Sequence, residues 1–210
     1  MPRSKSSQRW LQRHQNDLYV KRAKQEGLRS RSAYKLLEMQ KKDKFIKPGM
    51  VVVDLGAAPG GWSEVASRLV GVRGRVYAFD ILPMAPLSNV DFFQGDFCEE
   101  IIFHQFLAYI QHILVDVIIS DISPNFSGVR SIDQPRAMHL ADLAAEFAQR
   151  ILKPQGSFVI KIFQGDGFET YLGRLRRLFT SISIRKPIAS RDSSAEVYLV
   201  AMGYHAKMEI

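Results

Sequence analysis

The chain has 210 residues, 46% hydrophobic and 24% charged, an ordinary composition for one globular domain with a sizeable core. A single cysteine, Cys98, excludes an internal disulfide, and neither it nor the five histidines has metal-ligand spacing; a reducing cytoplasmic setting and no metal site are expected. The net charge is +8, yet residues 1–31 hold nine Lys/Arg against two acids, which divides the sequence into a basic N-terminal arm, 1–31, and a nearly neutral domain, 32–210. Such an arm suits contact with a phosphate backbone or serves as a solvated tail that keeps the protein soluble, whereas no stretch of about 18 apolar residues exists to cross a membrane.

Met1 to Gln8 is polar, basic and without periodicity. From Arg9 to Glu26, Trp10 and Tyr19 stand among Arg9, Arg13, Lys21, Arg22 and Lys24, a mixture suited to stacking on unpaired bases and gripping phosphates. The same segment reads equally well as a helix docked through Trp10, Leu11 and Leu18. Gly27 breaks it, and Ser30 or Ser32 caps a helix to about Lys42 with Ala33, Leu36, Leu37 and Met39 on its buried side. Lys35 lies inside this helix, and nothing in its spacing marks it. After Pro48 and Gly49, Val51 to Asp54 reads as a short buried strand, and Leu55 to Gly61 as a glycine-rich turn opening a helix over Trp62 to Leu69.

That turn defines a small-ligand site. Gly56, Gly60 and Gly61 carry no Cβ, so backbone and ligand can approach closely, and the new helix directs unpaired N–H groups toward the ligand. The run from Asp54 to Trp62, D-L-G-A-A-P-G-G-W, lacks both the G-x-G-x-x-G dinucleotide spacing and the Lys of a phosphate loop. Its acid suits amino or hydroxyl donors, and S-adenosyl-L-methionine, a cation with an amino-acid tail, meets that requirement. Asp80, at the end of the strand Arg75 to Asp80, stands where an acid holds ribose hydroxyls. The plainer reading makes Asp54 and Asp80 strand-end caps.

Further on, Val90 to Phe93 is a third short strand followed by Asp96, and Phe97 to His112 reads as a helix. Leu114 to Ser120 is an apolar strand ending in Asp121, at the carboxyl edge where ligands of open α/β sheets sit. Asp121-Ile-Ser-Pro124 differs from the N-P-P-Y motif that stacks a flipped base, which argues against base N-methylation. Asn125 to Ile132 is a Ser/Gly loop able to close over substrate, and Pro135 to Leu152 is a long helix. In the strand Gly156 to Phe163 one charge, Lys161, stands among Phe158, Val159, Ile160, Ile162 and Phe163, and a lysine is seldom buried without a partner. Phe168 to Phe179 reads as a helix whose Arg174, Arg176 and Arg177 form a second basic region with Arg185, Lys186 and Arg191. Glu196 precedes the last strand, Val197 to Met202.

DLGAAPGGWS, FDILPM, QGDF, SDISPN, VIKIFQG and RKPIASRDSSAEVY, in that order, resemble the FtsJ family of ribose 2′-O-methyltransferases over about Arg9 to Gly203. The resemblance implies an α/β, Rossmann-like methyltransferase with a mixed, mostly parallel seven-stranded sheet and helices on both faces. It implies S-adenosylmethionine held by Asp54, Gly56, Ala57, Pro59, Gly60, Gly61, Trp62, Asp80, Asp96 and Asp121, with Asp96 at the adenine end. It also implies a catalytic set of Lys35, Asp121, Lys161 and Glu196, and a uridine of 23S RNA in the large ribosomal subunit as substrate; a monomer is expected. A hydroxyl is a poor nucleophile until its proton leaves, and a lysine of ordinary pKa ~10.4 becomes a base only when burial or another cation lowers it. Lys161 is the candidate base and Lys35 the second cation; Asp121 and Glu196 orient them. A tRNA anticodon-loop ribose methyltransferase shares these residues, and an assembly factor with an idle pocket is the rival from another class.

Overall fold

The computed structural model describes residues 17–191 and 194–205. Arg9, Trp10, Leu11 and Arg13 therefore lie outside the described residues. In chain order the elements are α1 (Leu18–Gln25), α2 (Ser32–Asp43), β1 (Val51–Leu55), α3 (Gly61–Val70), β2 (Arg75–Asp80), β3 (Val90–Gln94), α4 (Glu100–Tyr109), β4 (Val115–Ser120), α5 (Arg130–Ile151), β5 (Leu152–Phe163), α6 (Phe168–Arg176), β6 (Phe179–Arg185) and β7 (Glu196–Tyr204). The seven strands form one sheet in the order β3-β2-β1-β4-β5-β7-β6. β3, β2, β1, β4 and β5 run parallel, and β7 is antiparallel to both β5 and β6. This is the mixed, mostly parallel Rossmann-like sheet expected from the sequence.

Parallel strands covered on both faces are apolar throughout, and strand periodicity assigns alternate residues to opposite faces. Val53, Leu55, Phe79, Ile118, Phe158 and Ile160 belong to one cluster with Phe103 and Phe106 of α4 and the alanines of α5. Phe79 stacks on Phe106 with ring centroids 4.9 Å apart, one of several aromatic contacts there worth about 0.5–1.5 kcal/mol each. Val52, Val76, Val117, Ile119, Val159, Tyr198 and Val200 belong to the other cluster, with Leu36 and Met39 of α2 and Trp62 and Val65 of α3. Ala23 of α1 and the following Leu28 join this second cluster, whereas Leu18, expected to dock, is exposed; Trp10 and Leu11 lie outside the described residues. Leu37, expected on the buried side of α2, is also exposed.

Several boundaries move for identifiable reasons. The Asp96 carboxylate accepts from the Cys98 N–H at 2.9 Å, so Phe97–Glu99 form a turn and α4 starts later than expected. The helix α5 begins five residues before Pro135, because the missing proline N–H removes only one early helical bond. β5 reaches back to Leu152 across an irregularity in its pairing with β4, and regular pairing starts at Ser157. The largest correction concerns Phe179. It ends no helix; it opens β6, where it packs against Phe158 and Tyr204, and α6 stops at Arg176. The β-branched alternation in Phe179–Arg185 suits a pleated edge strand better than another helical turn.

Candidate active site and cofactor pocket

The sheet brings the charged residues together by register. Asp54 follows Val52 by two, Lys161 follows Val159 and Asp121 follows Ile119 by the same step, and Tyr198 and Glu196 precede Val200 by two and four, so all five belong to the face covered by α2 and α3. Antiparallel pairing of β5 with β7 places Lys161 opposite Tyr198 and Phe163 opposite Glu196. On α2, Ala33, Leu36 and Met39 anchor the helix to this face and Lys35 is carried in with them, only 7% exposed.

Each buried cation meets a carboxylate. Lys35 Nζ lies 2.7 Å from Glu196 Oε1 and 3.8 Å from Asp121 Oδ1, and Lys161 Nζ lies 3.1 Å from the same Asp121 oxygen. Lys161 also donates to the Asp121 carbonyl at 2.6 Å. Between them stands Tyr198, which the sequence reading did not single out. Its hydroxyl accepts from Lys35 at 2.8 Å and donates to Asp121 Oδ1 at 2.6 Å. Burial, followed by the Asp121 and Glu196 charges, holds the phenol pKa well above its ordinary value, so it remains a donor. Burial alone would raise the Glu196 pKa, but the Lys35 charge and hydrogen bond outweigh it and the net shift is downward. The four charges thus form a neutral, sign-alternating array: Lys35 does not face Lys161 as a bare cation, because Asp121 stands between them. Removing one member strands its partner, a change that costs about 3–5 kcal/mol in buried pairs.

The adjoining cavity, about 450 Å³, is lined by Gly56, Ala58, Asp80, Asp96, Asp121 and the segment Ile122 to Asn125. Gly56 has φ 75°, and a Cβ there would meet Ile122 at 3.0 Å, so only glycine makes this turn. Asp80 shapes the turn by accepting from the Ala58 and Leu82 N–H groups, both at 2.8 Å, one on each oxygen. Each oxygen keeps lone pairs for a ligand. Asp54 is 1% exposed; Ser63 donates to its Oδ2 at 2.6 Å, while its Oδ1 is buried without a partner among the described residues. Burial, reinforced by Asp121 and Asp80 and opposed by the Ser63 hydrogen bond, pushes its pKa up to about 7. An orphaned buried carboxylate oxygen, a glycine cradle and three further acids fit a ligand that brings amino and hydroxyl donors and a positive charge.

The remaining residues of the expected cofactor set serve the turn instead of the cavity wall. Ala57 is buried, Pro59 offers its carbonyl to Arg29 at 3.3 Å, and Gly60 adopts φ 104° as it opens α3. At Gly61 the space a Cβ would need is filled by the Ser30 hydroxyl. Trp62 is 2% exposed, donates its indole N–H to the Ser32 carbonyl at 2.8 Å and packs on Tyr198 with centroids 5.7 Å apart. It locks α2 and α3 together beneath the charged array.

Part of the second basic region is consumed internally. Arg174 pairs with Asp142, Arg185 with Asp43, and Lys186 donates to the Ser194 and Glu196 carbonyls. Arg176, Arg177 and Arg191 are exposed, as are Lys21, Arg22 and Lys24 of α1. Arg31 was also missed: it links α2 to Asp17 and to the Ala189 carbonyl. Among the described residues no helix is long and apolar enough to cross a membrane.

Asp80 ends β2, and Asp96 and Asp121 follow β3 and β4, so the crevice presents three acids where a dinucleotide pyrophosphate would need N–H groups and cations. A sheet of this order with such a crevice, beside buried amines that carboxylates hold in place, defines a methyltransferase. The chain belongs to the FtsJ-like methyltransferase family, whose profile matches residues 28–204. It is 55% identical over 207 residues, 99% of this chain and 100% of the relative, to a Pseudomonas aeruginosa protein named ribosomal RNA large subunit methyltransferase E. A Cellvibrio japonicus protein of the same name is 54% identical over 204 residues, covering 97% of each chain. Among solved structures, a Plasmodium falciparum protein described as a ribosomal RNA methyltransferase superposes with a TM-score of 0.77 at 25% identity, covering 85% of this chain and 100% of that one.

Proposed function

We propose that this methyltransferase uses S-adenosylmethionine to methylate the ribose 2′-hydroxyl of a uridine in the 23S RNA of the large ribosomal subunit. The observation that carries the reading is the array of Lys35, Asp121, Lys161 and Glu196 at the edge of the acid-lined cavity. Near full-length similarity to proteins named for the large-subunit RNA supports the substrate. Exposed cations on α1 and at the end of α6 suit phosphate contacts, which position RNA by shape.

S-adenosylmethionine, when bound, supplies an electrophilic methyl group on a sulfonium. Asp54, Asp80 and Asp96 would bind its amino and hydroxyl groups, and the turn from Gly56 to Trp62 would fix their placement. In its free-amine form, after giving its own proton to solvent, Lys161 takes the proton from the 2′-hydroxyl, and the ammonium so restored is received by the Asp121 carboxylate and carbonyl. Lys35, held by Glu196 and Tyr198, keeps Asp121 in place from the other side. Alignment of the acceptor oxygen with the methyl group contributes most of the rate. Lys161→Ala tests the assignment: turnover disappears while cofactor binding, measured by calorimetry, persists. Loss of both would make Lys161 structural instead.

A further inference from the structure

The loop between β4 and α5 holds a side chain whose exposure contrasts with its fixed position. Phe126 is 52% exposed, yet it sits edge-to-face on Phe163, with centroids 5.2 Å apart and planes at 81°. Its neighbours Pro124 and Asn125 line the cavity. On the other side the loop is pinned by Asp133, a buried acid that accepts from the Ser127 N–H, the Ser127 hydroxyl and the Gly128 N–H, each at 2.8 Å. The loop is therefore an ordered shelf that leaves one aromatic ring half uncovered.

The shelf stands beside the reacting groups. Lys161 Nζ is 5.9 Å from the Phe163 centroid, and with the 5.2 Å between the two rings this caps the distance from the amine to the Phe126 ring at about 11 Å. A ribose whose 2′-oxygen is presented to Lys161 carries its base within the span of one nucleotide, and the ring lies inside that span. Among aromatic side chains phenylalanine offers a stacking face without a hydrogen-bonding group, and stacking accepts any base because every base has a π-face. A base stacked on this ring would bury part of its uncovered apolar face, a gain of about 25 cal/mol per Å².

We infer that Phe126, backed by Phe163, is the platform on which the base of the target nucleotide stacks. The inference rests on the RNA ribose methylation proposed above. Stacking on this ring positions the ribose; sequence preference has to come from elsewhere.

The test compares Phe126→Tyr, Phe126→Leu and Phe126→Ala with the unsubstituted enzyme on large subunits from cells lacking this activity, recording kcat, KM for the subunit and the dissociation constant for S-adenosylmethionine. The Tyr variant stays within about twofold in kcat/KM, whereas Leu and Ala lose about ten- to a hundredfold, the range seen when a stacking aromatic is truncated. Cofactor affinity is unchanged in all three. A Leu variant as efficient as the unsubstituted enzyme, or an Ala variant without effect, overturns the platform, as does a loss of cofactor affinity that tracks the loss of turnover. Failure of the unsubstituted enzyme to label the subunit, with cofactor bound, overturns the underlying reading and the platform with it.

Discussion

Replacing Asp54 with Asn probes the electrostatics of this buried carboxylate directly. Asp54 is buried with one oxygen unpartnered among the described residues, and burial, then Asp121 and Asp80, raise its pKa from 3.8 to about 7. At 1.36 kcal/mol per pKa unit that difference amounts to about 4 kcal/mol of ionisation cost in the fold. The unfolded carboxyl ionises near its ordinary value while the folded one keeps its proton to about pH 7. The folded state therefore binds more protons across that window, and stability falls as pH rises through it, the loss being complete above about 7. Asn cannot ionise; its oxygen keeps the Ser63 hydrogen bond, and its amide, facing no acceptor, costs about 1–3 kcal/mol at every pH. The decisive quantity is accordingly the difference between the two proteins at two pH values. Urea unfolding at about pH 5 and about pH 8.5 should show the unsubstituted protein losing about 3 kcal/mol relative to Asp54→Asn, since groups common to both cancel. A difference independent of pH refutes the reasoning and places an ionised Asp54 in the fold throughout.

Tyr198→Phe removes the hydroxyl between Lys35 and Asp121 while keeping the ring against Trp62. Leaving two buried partners short of one bond costs about 1–3 kcal/mol; kcat is expected to fall about ten- to a hundredfold with the cofactor dissociation constant unchanged, and an undiminished kcat would contradict the bridging role. Glu196→Gln leaves Lys35 without its nearest counter-charge. The Glu196 pKa is lowered in the fold, so its contribution is present above the ordinary carboxylate range and lost as pH falls through the folded value. The variant should therefore be about 3–5 kcal/mol less stable at neutral pH, with the gap narrowing below about pH 4 in an acid-unfolding series. Exposed Lys21, Lys24, Arg176 and Arg177 predict that affinity for RNA falls steadily as salt rises, read from binding isotherms at several ionic strengths.

The sequence made some parts of this molecule legible and hid others for physical reasons. β1, the glycine turn and β2 were readable because apolar runs, glycines and strand-end acids obey local rules. Lys161 stood out because a charge inside an apolar run needs a partner, and the partner proved to be Asp121, forty positions away in the chain. Lys35 had no local signal; its burial arises from where α2 lands on the sheet, and only family resemblance marked it. Tyr198 could have been found from its spacing, two residues after Glu196 on a strand and hence on the same face. β6 was obscured because Leu175, Leu178 and Phe179 continue a helical apolar spacing, while the pairing that makes Phe179–Arg185 a strand is set by β7. The cation pairs that consume Arg174 and Arg185 depend on Asp142 and Asp43 arriving from distant elements, which charge patterning along the chain does not show.

Transfer of labelled methyl from S-adenosylmethionine to large subunits, protein-free ribosomal RNA and tRNA, all from cells lacking this activity, with the labelled nucleotide then mapped, tests the central claim most directly. The account predicts a 2′-O-methyluridine in the large-subunit RNA, formed on assembled subunits more readily than on protein-free RNA. Labelling confined to tRNA, or to a base nitrogen, would contradict it.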